Sequence, residues 1–187
     1  GGAIYNKGNV IDGRDYGILD IIVDGNNTIY DNKSDGIGGA IYNENGTVNI
    51  IAKPGQITTI SGNTATDKGG VVASDGGVIN VGGNIKFSNN STISSDSTGG
   101  VFNIANGTLN LDTTDGDIIF ENNAAAKGST IYLENDSTIN FKGTDEHEIT
   151  FSKTQTIASD NSSNKMNVLG GNINFESSLG DFTGQFT

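Results

Sequence analysis

The chain of 187 residues has no cysteine and no tryptophan, and it has one proline and one histidine. Without cysteine it forms no disulfide, and a single histidine cannot supply the usual ligands of a zinc centre. Basic residues are also scarce, because ten Lys and Arg stand against 22 Asp and Glu, for a net charge of −12. Nucleic acid binding requires clustered basic side chains. No hydrophobic run approaches the length of a membrane span. We therefore expect no nucleic acid partner, no direct insertion into a membrane and no cofactor.

Glycine is abundant, with 28 residues, and much of it lies in a unit that recurs about every 30 residues. Each unit opens with two glycines followed by two apolar residues, at 1–4, 38–41, 69–72, 99–102 and, with serine as the second residue, 128–131. An apolar residue followed three positions later by asparagine recurs as Ile60 and Asn63, Phe87 and Asn90, and Phe120 and Asn123. Triplets of an apolar residue, asparagine and an apolar residue are centred on Asn49, Asn80, Asn110, Asn140 and Asn174. A period this regular predicts a stacked repeat protein.

Each unit holds three short apolar or alternating runs separated by Gly, Asn, Asp and Ser, a pattern of strands and turns that leaves no room for a helix. The sequence predicts an all-β protein, a right-handed parallel β-helix of about six coils with three strands per coil, as one domain over residues 1–187. Equivalent apolar residues should then stack inside the helix. One predicted column ends at Ile173 after Ile139, a second ends at Phe175 after Phe141, and a third ends at Met166 after Ile131.

Two segments depart from the period, at 8–27 and at 142–164, and we expect both to be irregular inserts. We expect the first to contain an extra turn or a bulged loop around 12–16. The second should project from the side of the solenoid, where binding surfaces commonly lie. Candidate binding residues are two tyrosines expected to point outward beside inward isoleucines, and four residues of the second insert: Tyr42, Tyr132, Asp145, Glu146, His147 and Glu148. Because residue 1 already lies inside the Gly-Gly motif, we expect the chain to be a fragment of a longer protein.

The two short motifs together resemble the polymorphic outer-membrane protein repeats of chlamydiae, which also occur in other autotransporter-like bacterial surface proteins. The residues that match are Gly38, Gly39, Ala40, Ile41, Phe87, Asn90, Phe120 and Asn123. The resemblance implies a surface-exposed passenger, exported by a type V route and held by an outer-membrane β-barrel absent from this chain. It also implies adhesion, with a host-cell protein or glycan receptor as partner, and self-association as a further possibility. We interpret the matching residues themselves as builders of the coil.

Three other functions fit a parallel β-helix. A polysaccharide-degrading enzyme needs two or three carboxylates close together on the outer face. Asp112, Asp115 and Asp117 are close in sequence, but they lie in a glycine-containing turn where aspartate is favoured for local hydrogen bonds. We therefore predict that the protein is not an enzyme. A polysaccharide-binding β-helix and a structural stalk that spaces a distal binding head from the cell both remain open.

Overall fold

The computed structural model describes residues 1–11, 14–23, 29–176 and 178–187. Over these residues the chain forms strands and turns, with no helix. Sheet 1 contains β1 (Ile4–Lys7), β7 (Ile41–Glu44), β11 (Val72–Asp75), β15 (Phe102–Ala105), β18 (Ile131–Glu134) and β21 (Ile157–Ser159). Sheet 2 contains β4 (Ile18–Val23), β8 (Thr47–Ala52), β12 (Val78–Gly82), β16 (Thr108–Asp112), β19 (Thr138–Lys142), β22 (Lys165–Val168) and β24 (Gln185–Phe186). Sheet 3 contains β5 (Ile29–Tyr30), β9 (Thr58–Ser61), β13 (Ile85–Ser88), β17 (Ile118–Glu121), β20 (Glu148–Phe151) and β23 (Asn172–Phe175).

Every pair of neighbouring strands in these three sheets is parallel and joins equivalent positions of successive turns. Val72, for example, is paired with Ile41 on one side and with Phe102 on the other. The predicted all-β parallel solenoid is therefore confirmed. The structure adds a short fourth sheet, made of β6 (Lys33–Ser34), β10 (Thr64–Ala65) and β14 (Ser91–Thr92), so some turns have four strands.

The core is a set of apolar columns that run through the turns. Alternation along each strand sends every second side chain inward, so that Phe87, Phe120 and Phe151 are fully buried in one column. Their rings stack with centroids 5.2 and 4.9 Å apart. Burying such a side chain contributes about 1.5–3 kcal/mol. One turn alone could not offset the entropy of ordering its backbone, so stability depends on stacking.

The last turns follow a different register from the one predicted. Ile139 is paired with Met166, and Ile131 is paired with Ile157. Ile173 belongs to the column of sheet 3, paired with Ile149. The prediction was wrong here because the segment around Ile173 copies the alternation of sheet 2, although its place in the coil belongs to sheet 3.

The expected irregular inserts are much shorter than predicted. In the first, β2 (Asn9–Ile11) and β3 (Arg14–Tyr16) form an antiparallel hairpin, whereas Ile18–Val23 is a regular strand of sheet 2. Asp12, Gly13 and 24–28 lie outside the described residues. In the second, 142–164 contains β20 and β21, which continue sheets 3 and 1. The expectation of a loop projecting at 142–164 is corrected, because these strands carry buried apolar residues that extend the core columns.

Candidate binding surface

The Gly-Gly motif forms a turn in which each glycine has its own role. Gly38 has a φ of 64°, a left-handed conformation that glycine adopts without strain. A Cβ on Gly39 would lie 2.0 Å from the carbonyl oxygen of Gly70 on the next turn. Ala40 and Ile41, at 1% and 0% exposure, point into the core. These four motif residues therefore lie in a turn and a core, and none of them offers a side chain to a ligand.

The Phe-x-x-Asn motif joins the aromatic column to a buried column of amides. Phe87 and Phe120 are fully buried and stacked on each other. Three residues later, the Asn90 Nδ2 donates to Asn123 Oδ1 at 3.0 Å, and Asn63 Nδ2 donates to Asn90 Oδ1 at the same distance. All three asparagines are at most 4% exposed. The motif therefore closes a turn by satisfying buried polar groups with one another.

Two residues that the sequence analysis missed extend this buried amide column. Asn32 Nδ2 donates to Asn63 Oδ1 at 2.9 Å, and Asn123 Nδ2 donates to Gln155 Oε1 at 2.9 Å. Gln155 follows Phe151 by four positions, where the other copies have three. The longer glutamine side chain compensates for that extra residue.

The two candidate tyrosines lie on the outer face of sheet 1 but do not form one patch. Tyr42 stacks on Tyr5 with ring centroids 5.4 Å apart, and Tyr5 is 55% exposed. The positions of Ala73 and Asn103 separate Tyr42 from Tyr132 along the column. Tyr132 is only 8% exposed. Tyr132 therefore lies on the outer face of the sheet but offers little accessible surface to a partner.

Beside Tyr42, a cleft of about 260 Å³ opens where the sheet carries the small side chains of Ala73 and Ala105. Its polar wall is held by Glu134, which accepts from Lys68 Nζ at 2.7 Å and from Asn103 Nδ2 at 2.9 Å. Burial raises the pKa of Tyr42, and the charges of two nearby carboxylates add to that effect. This cleft combines an aromatic ring with a fixed charged network.

A second cleft, of about 760 Å³, lies on the other side of Tyr132, where Ala158 is the next residue in its column. Asp160 and Asp181 also line it. Burial is the main cause that raises the pKa of Tyr132, and the charges of Asp160 and Glu134 raise it further. The phenol is therefore a neutral hydroxyl at physiological pH.

The acidic segment 145–148 forms the corner between sheets 2 and 3, away from the tyrosines of sheet 1. Asp145 and Glu146 are exposed. His147 Nδ1 lies 3.2 Å from Asp117 Oδ1, which also accepts from the Glu148 backbone N–H at 3.0 Å. The structure thus divides the six candidate binding residues between two separate surfaces.

Two of the three aspartates considered for catalysis are engaged in other contacts. Asp112 accepts from Lys142 Nζ at 2.8 Å and from the backbone N–H of Thr114 at 2.9 Å. Partial burial pushes the pKa of Asp112 upward, but the hydrogen bonds from Lys142 and Thr114 outweigh it and leave that pKa below its usual range. Asp117 holds the corner at 145–148, and Asp115 is exposed. In the described ranges, no three His, Cys, Asp or Glu side chains are grouped to hold a metal ion. Both the absence of catalysis and the absence of a cofactor stay predictions.

A second amide column runs along the outer face of sheet 2. Asn80 Nδ2 donates to Asn49 Oδ1, Asn110 to Asn80, and Asn140 to Asn110, each at 2.7 Å. The column continues to Asn167, also at 2.7 Å, and not to Asn174 as predicted, because β22 follows β19 in sheet 2. These amides are half-buried and face outward, unlike those of the column of Asn90.

Beside this column lies a depression of about 360 Å³, which we call the asparagine groove. Gly82 makes the hollow, because it stands in the outward column between Ile51 and Asp112 and has no side chain. The groove is lined by Asn80, Asn110 and Asn140, by Ile51 and Leu169, and by the Asp112–Lys142 ion pair. Sequence reasoning missed it, although the single glycine in an otherwise regular outward column is a signal that could have shown it.

A comparison with known protein families finds a match over part of the chain. The family model of the Chlamydia polymorphic membrane protein repeat matches residues 20–44, which include Asn32 and the Gly-Gly motif at 38–41. Neither the curated proteins nor the solved structures contain a significant match. Within the part of the chain that is described, no helix has the length and apolarity to cross a membrane. The matched family implies an outer-membrane or cell-surface location. Residues 20–44 thus match a polymorphic membrane protein repeat, and the described residues form a parallel β-solenoid, which fits a repeat of the passenger type.

Proposed function

We propose that this chain is part of a bacterial surface passenger that acts, without catalysis, in adhesion to host cells or to other bacteria. The observation that carries the proposal is the polymorphic membrane protein repeat at 20–44 within a continuous solenoid. In this proposal the passenger is exported by a type V route and anchored through an outer-membrane β-barrel. Its partner is a host-cell protein or glycan, or a second copy of the chain.

The outer faces of the sheets support binding better than catalysis. Clefts of about 260 and 360 Å³ lie on sheets 1 and 2, and both combine oriented amides with an ion pair. Sites that recognise ligands commonly combine a few fixed polar groups with apolar walls. Two of the carboxylates that line these clefts are held in ion pairs, Asp112 with Lys142 and Glu134 with Lys68.

A structural stalk is the second candidate, and the regularity of the turns favours it. The core columns, the buried amides and the Gly-Gly turns repeat with little loop between them, so most residues serve the stacking. A stalk needs no receptor. Adhesin and stalk therefore differ in whether the solenoid itself binds cells.

The test is binding of the labelled chain to cultured epithelial cells and to bacteria, with an unrelated acidic β-solenoid as control. An adhesin gives saturable binding that unlabelled chain competes away. A correctly folded chain that binds no more than the control overturns adhesion and favours the stalk. Deleting 142–164 is unsuitable for placing the site, because it removes two core strands. Tyr42→Ala and a Glu146→Ala, His147→Ala pair probe the two candidate surfaces separately.

A further inference from the structure

We propose that the asparagine groove binds a linear, neutral glycan whose chain runs along the solenoid axis. The inference rests on the proposed adhesive function, because it names the chemical class of a receptor. It is carried by the open hydrogen-bonding groups of the groove, by its shape and by its charge.

The amides that line the groove keep hydrogen-bonding capacity for a ligand. A side-chain amide has two N–H groups and two acceptor lone pairs. Asn80 and Asn110 each donate once and accept once within the column. Among the described residues no further group bonds either amide, so each leaves one N–H and one lone pair open. A donor next to an acceptor matches the hydroxyl groups of a sugar, each of which donates one hydrogen bond and accepts others.

The column holds these open groups in a fixed orientation. Each amide is bonded to the one before it. At the start of the column, Asn49 Nδ2 donates to Asp20 Oδ1 at 2.6 Å. The carboxylate therefore meets the N–H end of the aligned amides and locks their direction by a charge-assisted bond. Binding a ligand then costs little free energy for ordering these side chains, and preorganisation of this kind raises affinity.

The shape of the groove fits a sugar ring. Gly82 provides the hollow beside the amides, and the apolar side chains of Ile51 and Leu169 stand at its ends, 38% and 64% exposed. Sugar rings present C–H groups on their faces and hydroxyl groups at their edges. A ring seated over Gly82 would place C–H groups against Ile51 and hydroxyl groups against Asn80 and Asn110.

The repeat of the amides suits a polymer. Successive turns are about 4.8 Å apart, which is close to the length of one pyranose unit in an extended chain. Asn80, Asn110 and Asn140 therefore offer the same pair of open groups to consecutive sugars. We expect affinity to rise with chain length up to about three or four units and then to level off, since the groove spans three amides.

The charges favour a neutral ligand over an acidic one. Lys142 is the basic residue that lines the groove, and Asp112 binds it at 2.8 Å. Asp115 adds a further negative charge to the lining, and the chain as a whole carries −12. Uronic acids, sialic acids and sulfated sugars would meet repulsion without a free cation to offset it.

The experiment is calorimetric titration of the 187-residue chain with cello-oligosaccharides, chito-oligosaccharides and N-acetyllactosamine oligomers of two to six units. Polysialic acid and heparin fragments serve as acidic probes. The decisive variant is Gly82→Thr, which fills the hollow. A Cβ at Gly82 has as its nearest atom the flexible Cδ1 of Ile51, at 3.3 Å, so the backbone tolerates the change. The matched control is Ala124→Thr, at an exposed position that lines neither the groove nor the cleft beside Tyr42.

The proposal expects one neutral series to bind. Gly82→Thr and Asn110→Ala should each weaken that binding at least tenfold, and Ala124→Thr should leave it unchanged. Neutral binding that Gly82→Thr leaves intact in a folded protein overturns the groove as the site. Binding of the acidic probes alone overturns the ligand class. If no glycan binds but the chain still binds cells, the groove proposal fails while adhesion stands. If neither glycans nor cells are bound, both proposals fail.

Discussion

Gly70 packs directly against Gly100 of the next turn, so that a Cβ on Gly70 would lie 2.1 Å from the Gly100 carbonyl oxygen. The same contact joins Gly39 to Gly70 and Gly100 to Ser129, at 2.0 and 2.1 Å. The second glycine of each motif is therefore required by the distance between turns. The first glycine is required by its left-handed backbone.

Gly70→Ala tests this contact. The added methyl group collides with backbone atoms that cannot move alone, so we expect the free energy of unfolding to fall by at least about 2 kcal/mol. Urea denaturation followed by circular dichroism measures it. Gly36→Ala is the matched control, because a Cβ there meets no described heavy atom within 4 Å. Equal stability of the two variants would contradict the steric role.

The two amide columns should respond differently to truncation. Asn90→Ala removes the acceptor of Asn63 Nδ2 and the donor to Asn123 Oδ1 in a buried site. Unpartnered buried groups cost about 1–3 kcal/mol each, so we expect a loss of about 3 kcal/mol or more. Asn110→Ala in the half-exposed column should cost less than about 1 kcal/mol, because water replaces the lost partners. Thermal unfolding of both variants checks the difference, and similar losses would contradict it.

Ser129 stands where the motif elsewhere has its second glycine, and restoring glycine should destabilise the protein. Ser129 Oγ donates to the Thr154 carbonyl at 2.8 Å and accepts from the Thr156 backbone N–H at 2.8 Å. Ser129→Gly loses both bonds and adds backbone freedom, for about 1–2 kcal/mol. Ser129→Ala separates the two effects, because it loses the bonds alone. A gain in stability for Ser129→Gly, measured by urea denaturation, would show that the repeat pattern outweighs these bonds.

The ion pair of the groove predicts a pH dependence. The folded protein holds the pKa of Asp112 below its ordinary value of 3.8. Its carboxylate therefore adds stability above that ordinary value, and this stability is lost as the pH falls through the lower, folded pKa. Asp112→Asn should lower stability near neutral pH and reduce the loss on acidification.

Urea denaturation of wild type and Asp112→Asn between about pH 7 and pH 2 measures this effect. The pair is partly exposed, so added salt should shrink the difference. An unchanged pH profile in the variant would show that Asp112 contributes no linked stability.

Periodicity alone predicted the solenoid and its three main strands per turn, because each turn repeats the same residue classes at the same positions. It did not identify Asn32, although Ile29 precedes it by three positions, as Ile60 precedes Asn63. The predicted strand pairing was wrong after Ile139, because two later segments, 165–168 and 172–175, have the same alternation of polar and apolar residues. Pattern fixes which side chains point inward, but which sheet a strand joins depends on the turns before it.

The candidate site was harder to predict for a different reason. Alternation placed Tyr132 on the outer face but said nothing about the neighbours that cover it. The asparagine groove arises from the missing side chain of Gly82 between two turns, a relationship that exists only once the turns are stacked. The shape of a solenoid surface depends on residues that stack in columns across successive turns, and those residues are far apart in the sequence.

The hydrogen bonds of sheets 1, 2 and 3 run along the solenoid axis, because their strands are paired with equivalent strands on neighbouring turns. A force pulling along that axis loads these bonds in series, one interface between turns after another, and each interface opens without disturbing those beyond it. A force across the axis is carried by several turns at once. The protein should therefore yield to tension along its axis one turn at a time, and not in a single cooperative step.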